Sequence, residues 1–418
     1  MVIGNMVGVG VFTTSGFSLR DLGTPSMVVT AWAVGGLVAI AGAVSYGQLV
    51  RHMPESGGEY LFLTRAVHPF FGCIAGWVSL VAGFTGPIAL SATLFEEYAL
   101  PSSIRPSWFR EDMLACAIIA VCWAWHAALP KLGEFGQNFV VTLKLLMLIV
   151  FLMFATFLVS PEKWQGTNND FLETRSQWQL LLAFAGSLVW ISFSFAGFNA
   201  AVYVADEVGD ARTISRALVV ATTTVALLYV LLNAVFVFAP PRELVLDKPN
   251  INTIAAATAS WLGGTPLALF VRITVAIALF TSVSSMILAG PRVYAKMASD
   301  GVMPHWMSFA DGHPRTAIAV QAMLAIVIVL NSKLAELLNY LSVTLALSAA
   351  GTVACLFAPK VRRHSLWHIS SVAPFTFIVA TLVSATLLAI NKPYELLGTA
   401  VTVLIGTAGY FAVRTSRR

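Results

Sequence analysis

Long apolar runs separated by short polar gaps dominate this chain. A helix needs about 20 mostly apolar residues to cross a bilayer. Twelve segments approach that length, at roughly 1–18, 26–50, 70–95, 112–129, 137–159, 180–205, 213–239, 266–290, 316–331, 334–358, 368–390 and 394–413, the first and ninth being short. The longest gap, about 160–179, carries Trp164, Asn168, Asn169 and Trp178 and reads as a surface loop with interfacial aromatics. Apolar residues make up 58% of the chain and charged residues 11%. A soluble domain carries roughly 25% charged residues, and so little charge cannot cover a soluble surface. The expectation is an all-α polytopic membrane protein of about 12 transmembrane helices, a single domain over residues 1–418.

The net charge of +5 does not imply nucleic acid, because the basic residues sit in the gaps between apolar runs. With the amino terminus inside, about 14 basic residues fall in inside segments and about 9 in outside ones, the direction of the positive-inside rule. An even number of spans then puts both termini in the cytoplasm of a multi-pass cell-membrane protein. Cys73, Cys116, Cys122 and Cys355 lie in apolar stretches without metal-ligand spacing. They read as small core residues, and neither a metal nor another cofactor is expected. The first apolar run passes straight into functional-looking sequence, so no cleavable signal peptide is expected. A homo-oligomer is compatible with the sequence.

The first segment, Ile3-Gly4-Asn5-Met6-Val7-Gly8-Val9-Gly10-Val11-Phe12, holds three glycines within seven residues. Glycine costs a helix about 1 kcal/mol relative to alanine. Freed backbone groups within a bilayer are tolerated only where they line a cavity or meet a ligand. Close helix packing on small residues explains the same spacing equally well. The sixth segment, Phe193-Ser194-Phe195-Ala196-Gly197-Phe198-Asn199, has one glycine and one amide among aromatics, a weak signal alone. The two segments occupy corresponding positions if the chain holds two five-helix repeats. Paired interruptions of this kind point to a solute site at the membrane midplane. Free amides at one half-helix start favour an anion and exposed carbonyls at the other favour a cation, so the pair suits a zwitterion. Arg272 lies near the start of its span and can snorkel outward. Lys144 falls near the middle of 137–159, where charge costs at least about 2.5–3.5 kcal/mol, so it needs a partner inside the bundle.

The chain resembles the amino acid–polyamine–organocation transporters, amino acid permease branch, over almost its whole length. The run Gly4 to Phe12 looks like the family's first-helix motif. Tyr46-Gly47-Gln48-Leu49 with Pro54-Glu55-Ser56-Gly57-Gly58-Glu59-Tyr60 is similar to its most specific signature, between helices two and three. Glu207-Val208-Gly209-Asp210-Ala211-Arg212 resembles the end of helix six; Gly290-Pro291-Arg292-Val293-Tyr294 and Asp300-Gly301-Val302-Met303-Pro304 resemble the end of helix eight and its loop. The resemblance implies a five-plus-five inverted repeat, one repeat at about 1–159 and the other at about 180–358, with two extra helices at about 368–413. It implies alternating access, with Gly8, Val9 and Gly10 holding a substrate carboxylate. Carbonyls near Phe193, Ser194 and Ala196 would hold the ammonium, with Gly197 and Asn199 in the same substrate site and Phe193 closing over the substrate. Lys144 matches a fifth-helix lysine of sodium-independent branches. It would act as a surrogate for a bound cation or as a proton carrier, with Ser282, Ser284 and Ser285 as neighbours. Two departures stand out. Val9 is bulkier than the family's usual residue, narrowing the site or facing away. Only about seven residues precede Gly8, where the family has a full half-helix.

Asn199 stands where some branches carry an acid, and Phe193, Phe195 and Phe198 are apolar. The substrate expected is therefore a neutral, apolar amino acid, moved by exchange or proton symport without sodium. Transport of cationic amino acids or polyamines is one alternative. A membrane-embedded enzyme acting on lipid-linked substrates is another, but its histidines and acids would have to cluster. The histidines are scattered, and Asp206, Glu207 and Asp210 read with Arg212 and Arg216 as a solvated helix end. No Walker-type loop is present, which argues against a primary pump.

Overall fold

A computed structural model describes residues 2–55, 57–101, 104–128, 133–157, 160–166, 176–205, 209–247, 250–309, 313–361, 368–391 and 393–416. Ser56, Asn168, Asn169, Asp206, Glu207 and Val208, named above, lie outside the described residues. The architecture is helical throughout, with no strand among the described residues. Seven helices are long and apolar enough to cross a membrane, and three more apolar helices are shorter.

The first expected span is two helices, α1 (Val2–Met6) and α2 (Val9–Leu22), separated at Val7–Gly8. α3 (Pro25–His52) starts on Thr24, whose side chain accepts from Met27 N, with proline in a first turn that needs no donor. A short helix, α4 (Gly58–Ala66), fills the next gap. The third span is α5 (Pro69–Val78), a π segment (Ser79–Thr85) and α6 (Gly86–Ala99). Proline in a helix interior clashes with the carbonyl four residues back. Around Pro87 the wider turn relieves this, and Gly86 N bonds Val81 O, five residues back.

α7 (Met113–Ala128) and α8 (Gly133–Phe157) follow. α9 (Gln177–Ser194) opens on a Ser176/Gln179 capping box and stops at Phe195. A turn and a 3-10 stretch (Ala200–Val204) replace its expected continuation to 205. α10 (Ala211–Phe238) is N-capped by Asp210, and α11 (Arg242–Leu246) is a single surface turn. The last helices are α12 (Ile254–Ser299), α13 (Arg315–Asn331), α14 (Leu334–Ala354), α15 (Val372–Asn391) and α16 (Leu396–Ser416).

The eighth span corrects the expected boundaries of 266–290. α12 begins twelve residues earlier, bent at Gly263 and Gly264, the latter at φ +66. It also runs through Pro291, read above as part of a helix end, to Ser299. Membrane helices carry proline where neighbours supply polar partners. Near it, buried Gln321 of α13 donates to Met286 O at 3.1 Å, adjacent to the Ile287 carbonyl that Pro291 leaves without its helical donor.

Small residues set the closest approaches. A Cβ on Gly36 of α3 would stand 3.1 Å from the Ala226 Cβ of α10, so the two helices pack with little side chain between them. α2 is wedged against α9, α3 and α10. Trp32, Phe195 and Tyr229 form an aromatic cluster behind it, with centroids 5.2–6.1 Å apart.

Candidate functional site

The two interrupted spans meet. Gly197, at φ +99, faces α1 so closely that a Cβ there would lie 3.0 Å from Asn5 O. Gly10 leaves no room for a side chain against the Ser194 backbone. Thr14 and Ser194 hydroxyls join α2 to α9 at 3.1 Å. Glycine is thus required at both crossings, at Gly197 by its positive φ and at Gly10 by contact.

A helix end leaves its last carbonyls without intrahelical partners, and those at the end of α1 find side-chain donors from two helices. Lys144 Nζ, fully buried on α8, donates to Gly4 O and Val7 O at 3.0 Å each. Tyr229 Oη donates to Met6 O at 2.6 Å. Asn5 O abuts Gly197. The partner that Lys144 required is therefore a broken helix end, the site where a cation is favoured.

The hydroxyl that Lys144 reaches is Thr281 Oγ1, at 3.4 Å, a residue the sequence reading passed over. Its three serine candidates separate. Ser282 lines the cavity described below and faces Gly8; Ser285 Oγ donates to Thr281 O at 2.6 Å. Ser284 turns to α7, where its hydroxyl lies 2.8 Å from His126 Nε2. A Ser/Thr-rich turn of α12 was legible; which hydroxyl points at α8 depends on helix rotation.

Between the breaks lies a cavity of about 170 Å³. Gly8, Val9, Gly10, Phe193, Ser194, Ala196, Gly197 and Asn199 all line it. Val9 is thus part of the cavity lining. The first amides of α2, starting at Val9, lack intrahelical acceptors and make this end suited to an anion. Across from them α9 ends, where Phe193 O takes Ala196 N at 2.9 Å and also the Phe195 N–H. Behind α2, Ser15 accepts from Trp32 Nε1 at 2.7 Å and donates to Asn233 Oδ1, fixing its position.

One further cavity residue went unrecognised as functional. Glu59, at the start of α4, is only 6% exposed yet lines the cavity. Its Oε1 accepts from Tyr46 Oη at 2.9 Å and from Asn199 Nδ2; its Oε2 accepts from Tyr203 Oη at 2.5 Å. A buried carboxylate requires such donors. These three tie α3, the short helix α4 and the far side of the sixth-span break to one atom group. The motif containing Glu59 was visible; its burial against Asn199 was not.

The family model described as "Amino acid permease" matches residues 1–411 of the chain. The chain is 24% identical over 427 residues to the b(0,+)-type amino acid transporter 1 of Mus musculus, covering 98% of this chain and 85% of that protein. It is 24% identical over 400 residues to the Asc-type amino acid transporter 1 of Mus musculus, covering 91% and 73%. It is 24% identical over 361 residues to the large neutral amino acids transporter small subunit 2 of Homo sapiens, covering 81% and 64%.

Proposed function

This chain belongs to the amino acid permease family, and on that premise we propose that it is a sodium-independent secondary transporter of neutral, mainly apolar amino acids. The family is one of transporters, not enzymes, and its curated relatives here are amino acid transporters. One observation carries the finer reading. The free amides of α2 face the end of α9 across the cavity, while the Lys144 ammonium occupies the carbonyl end of α1. The cavity offers opposite partial charges to a carboxylate and an ammonium. A fixed cation already sits where a coupling ion would find oxygen ligands, which supports independence from sodium.

Neutral side chains follow from the lining. Glu59 is the one carboxylate on the cavity wall among the described residues, and both its oxygens already accept hydrogen bonds. One relative is named for large neutral amino acids, which supports the same reading. The two five-helix repeats rock about the paired breaks to alternate access, with both termini in the cytoplasm.

The test is uptake into proteoliposomes of labelled alanine, leucine and arginine, with sodium or choline outside, with and without internal substrate, and across a pH gradient. Saturable alanine and leucine uptake, equal in sodium and choline, is expected. A dependence on internal substrate identifies exchange, and a dependence on the pH gradient identifies proton symport. A sodium requirement, or arginine uptake without leucine or alanine uptake, refutes the reading.

A further inference from the structure

The cavity does not end at the two breaks. It continues sideways to α15, a helix outside the two expected repeats. Phe377, Thr381 and Ser384 of α15 line it, at positions i, i+4 and i+7, one face of a helix. All three are buried, Thr381 and Ser384 at 8% exposure each. The Phe377 ring closes one end. It stacks edge-on to Phe198 at 6.3 Å and lies against Gly42, where a Cβ would stand 2.7 Å from Cε2. The facing walls are small residues: Gly35 and Ala39 of α3, Ala346 and Ala349 of α14.

Ala39 of α3 and Ala346 and Ala349 of α14 leave a chamber where larger residues would have filled it, whereas Gly35 admits Ile191, which a Cβ would meet at 2.5 Å. A single water takes about 10–15 Å³ of such space, so a cavity of about 170 Å³ holds on the order of ten waters. That exceeds what a bound alanine would use. The chamber is also not purely apolar, because the hydroxyl-bearing residues Thr381 and Ser384 of α15, Ser192 of α9 and Ser348 of α14 line it. A slot with small residues on its faces, the Phe377–Phe198 pair at one end and hydroxyl-bearing residues beside it matches an aromatic ring with a polar edge, since buried Tyr O–H and Trp N–H groups require partners.

We propose that this side chamber receives the ring of an aromatic amino acid substrate with a polar edge, tyrosine or tryptophan, and that Thr381 and Ser384 on α15 select for that edge. The assignment rests on the amino acid transport reading above. Ala380, which also lines the cavity, sets how large a ring fits.

Uptake of alanine, phenylalanine, tyrosine and tryptophan is measured in proteoliposomes for the unaltered protein and for Thr381→Val, Ser384→Ala, Ala380→Trp and the outward-facing control Leu382→Ala. The unaltered protein is expected to take up tyrosine and tryptophan saturably. Thr381→Val keeps the side-chain shape and is expected to raise the KM for tyrosine relative to phenylalanine about three- to tenfold, the effect of one buried hydrogen bond. Ala380→Trp is expected to lower the ratio of aromatic to alanine uptake at least about tenfold. Leu382→Ala should leave every ratio unmoved. A parallel loss of all substrates, or a tyrosine-to-phenylalanine ratio that ignores both Thr381→Val and Ser384→Ala, overturns the chamber assignment while sparing the transport reading. Absence of saturable uptake of any amino acid by the unaltered protein refutes both.

Discussion

Replacing Lys144 by methionine tests the central feature of the site. Methionine keeps most of the apolar stem and removes the ammonium, so Gly4 O and Val7 O lose their shared donor in a position closed to water. Each buried acceptor left unpaired costs about 1–3 kcal/mol, so docking of α1 weakens by about 2–6 kcal/mol. At 1.4 kcal/mol per decade, that is roughly a 30- to 20,000-fold shift toward undocked α1. Overall melting temperature is a poor readout, because removing the ammonium also relieves the cost of burying a charge. Hydrogen exchange along α1 and initial-rate uptake report the docking directly. Exchange of α1 amides should rise at least about 30-fold, and uptake should fall more than tenfold. If Lys144→Met keeps α1 protected and transports within twofold of the unaltered protein, the ammonium does not hold the broken helix and the surrogate-cation reasoning fails.

Gly10→Ala should destabilise by about 1–3 kcal/mol through overpacking, because its Cβ would strike the Ser194 backbone. Gly8→Ala meets only the movable Ser282 Oγ at 2.9 Å and should be milder, an order that melting in detergent checks and a reversed order would contradict. Glu59→Gln keeps the shape but sets an amide against three donors, Tyr46, Asn199 and Tyr203. It should cost about 1.5–3 kcal/mol and slow uptake, whereas an unchanged melting temperature would show that these three hydrogen bonds do not hold α4 in place. Asp210 has its carboxyl held below the usual range by the Thr213 hydroxyl and the Arg212 and Thr213 amides. Its capping contribution is therefore complete above the unfolded carboxylate value of about 3.9 and is lost as pH falls through the lower folded value. The melting gap between the unaltered protein and Asp210→Ala should hold from pH 7 to about 4 and narrow as pH falls below about 3.9, and a gap that stays constant below that value would refute the cap.

Apolar length is a property of each segment by itself, so the positions of the helices were legible in the sequence. The breaks were half legible. Glycine marked where the first and sixth spans weaken, but only the tertiary structure brings the two together, Gly10 on Ser194 and Gly197 on Asn5. Lys144 announced its need of a partner because charge in a bilayer is costly. Its partners, two carbonyls 140 and 137 residues away and the Thr281 hydroxyl, are fixed by how α1, α8 and α12 are rotated against one another. Local pattern carries no information about that rotation. The same holds for the extended α12, for Glu59 closing on Asn199 across 140 residues, and for α15 walling the cavity. Hydrophobicity determined what enters the membrane, and tertiary packing decided which polar atoms meet there, because each unsatisfied group inside a bilayer must find its partner through space rather than along the chain.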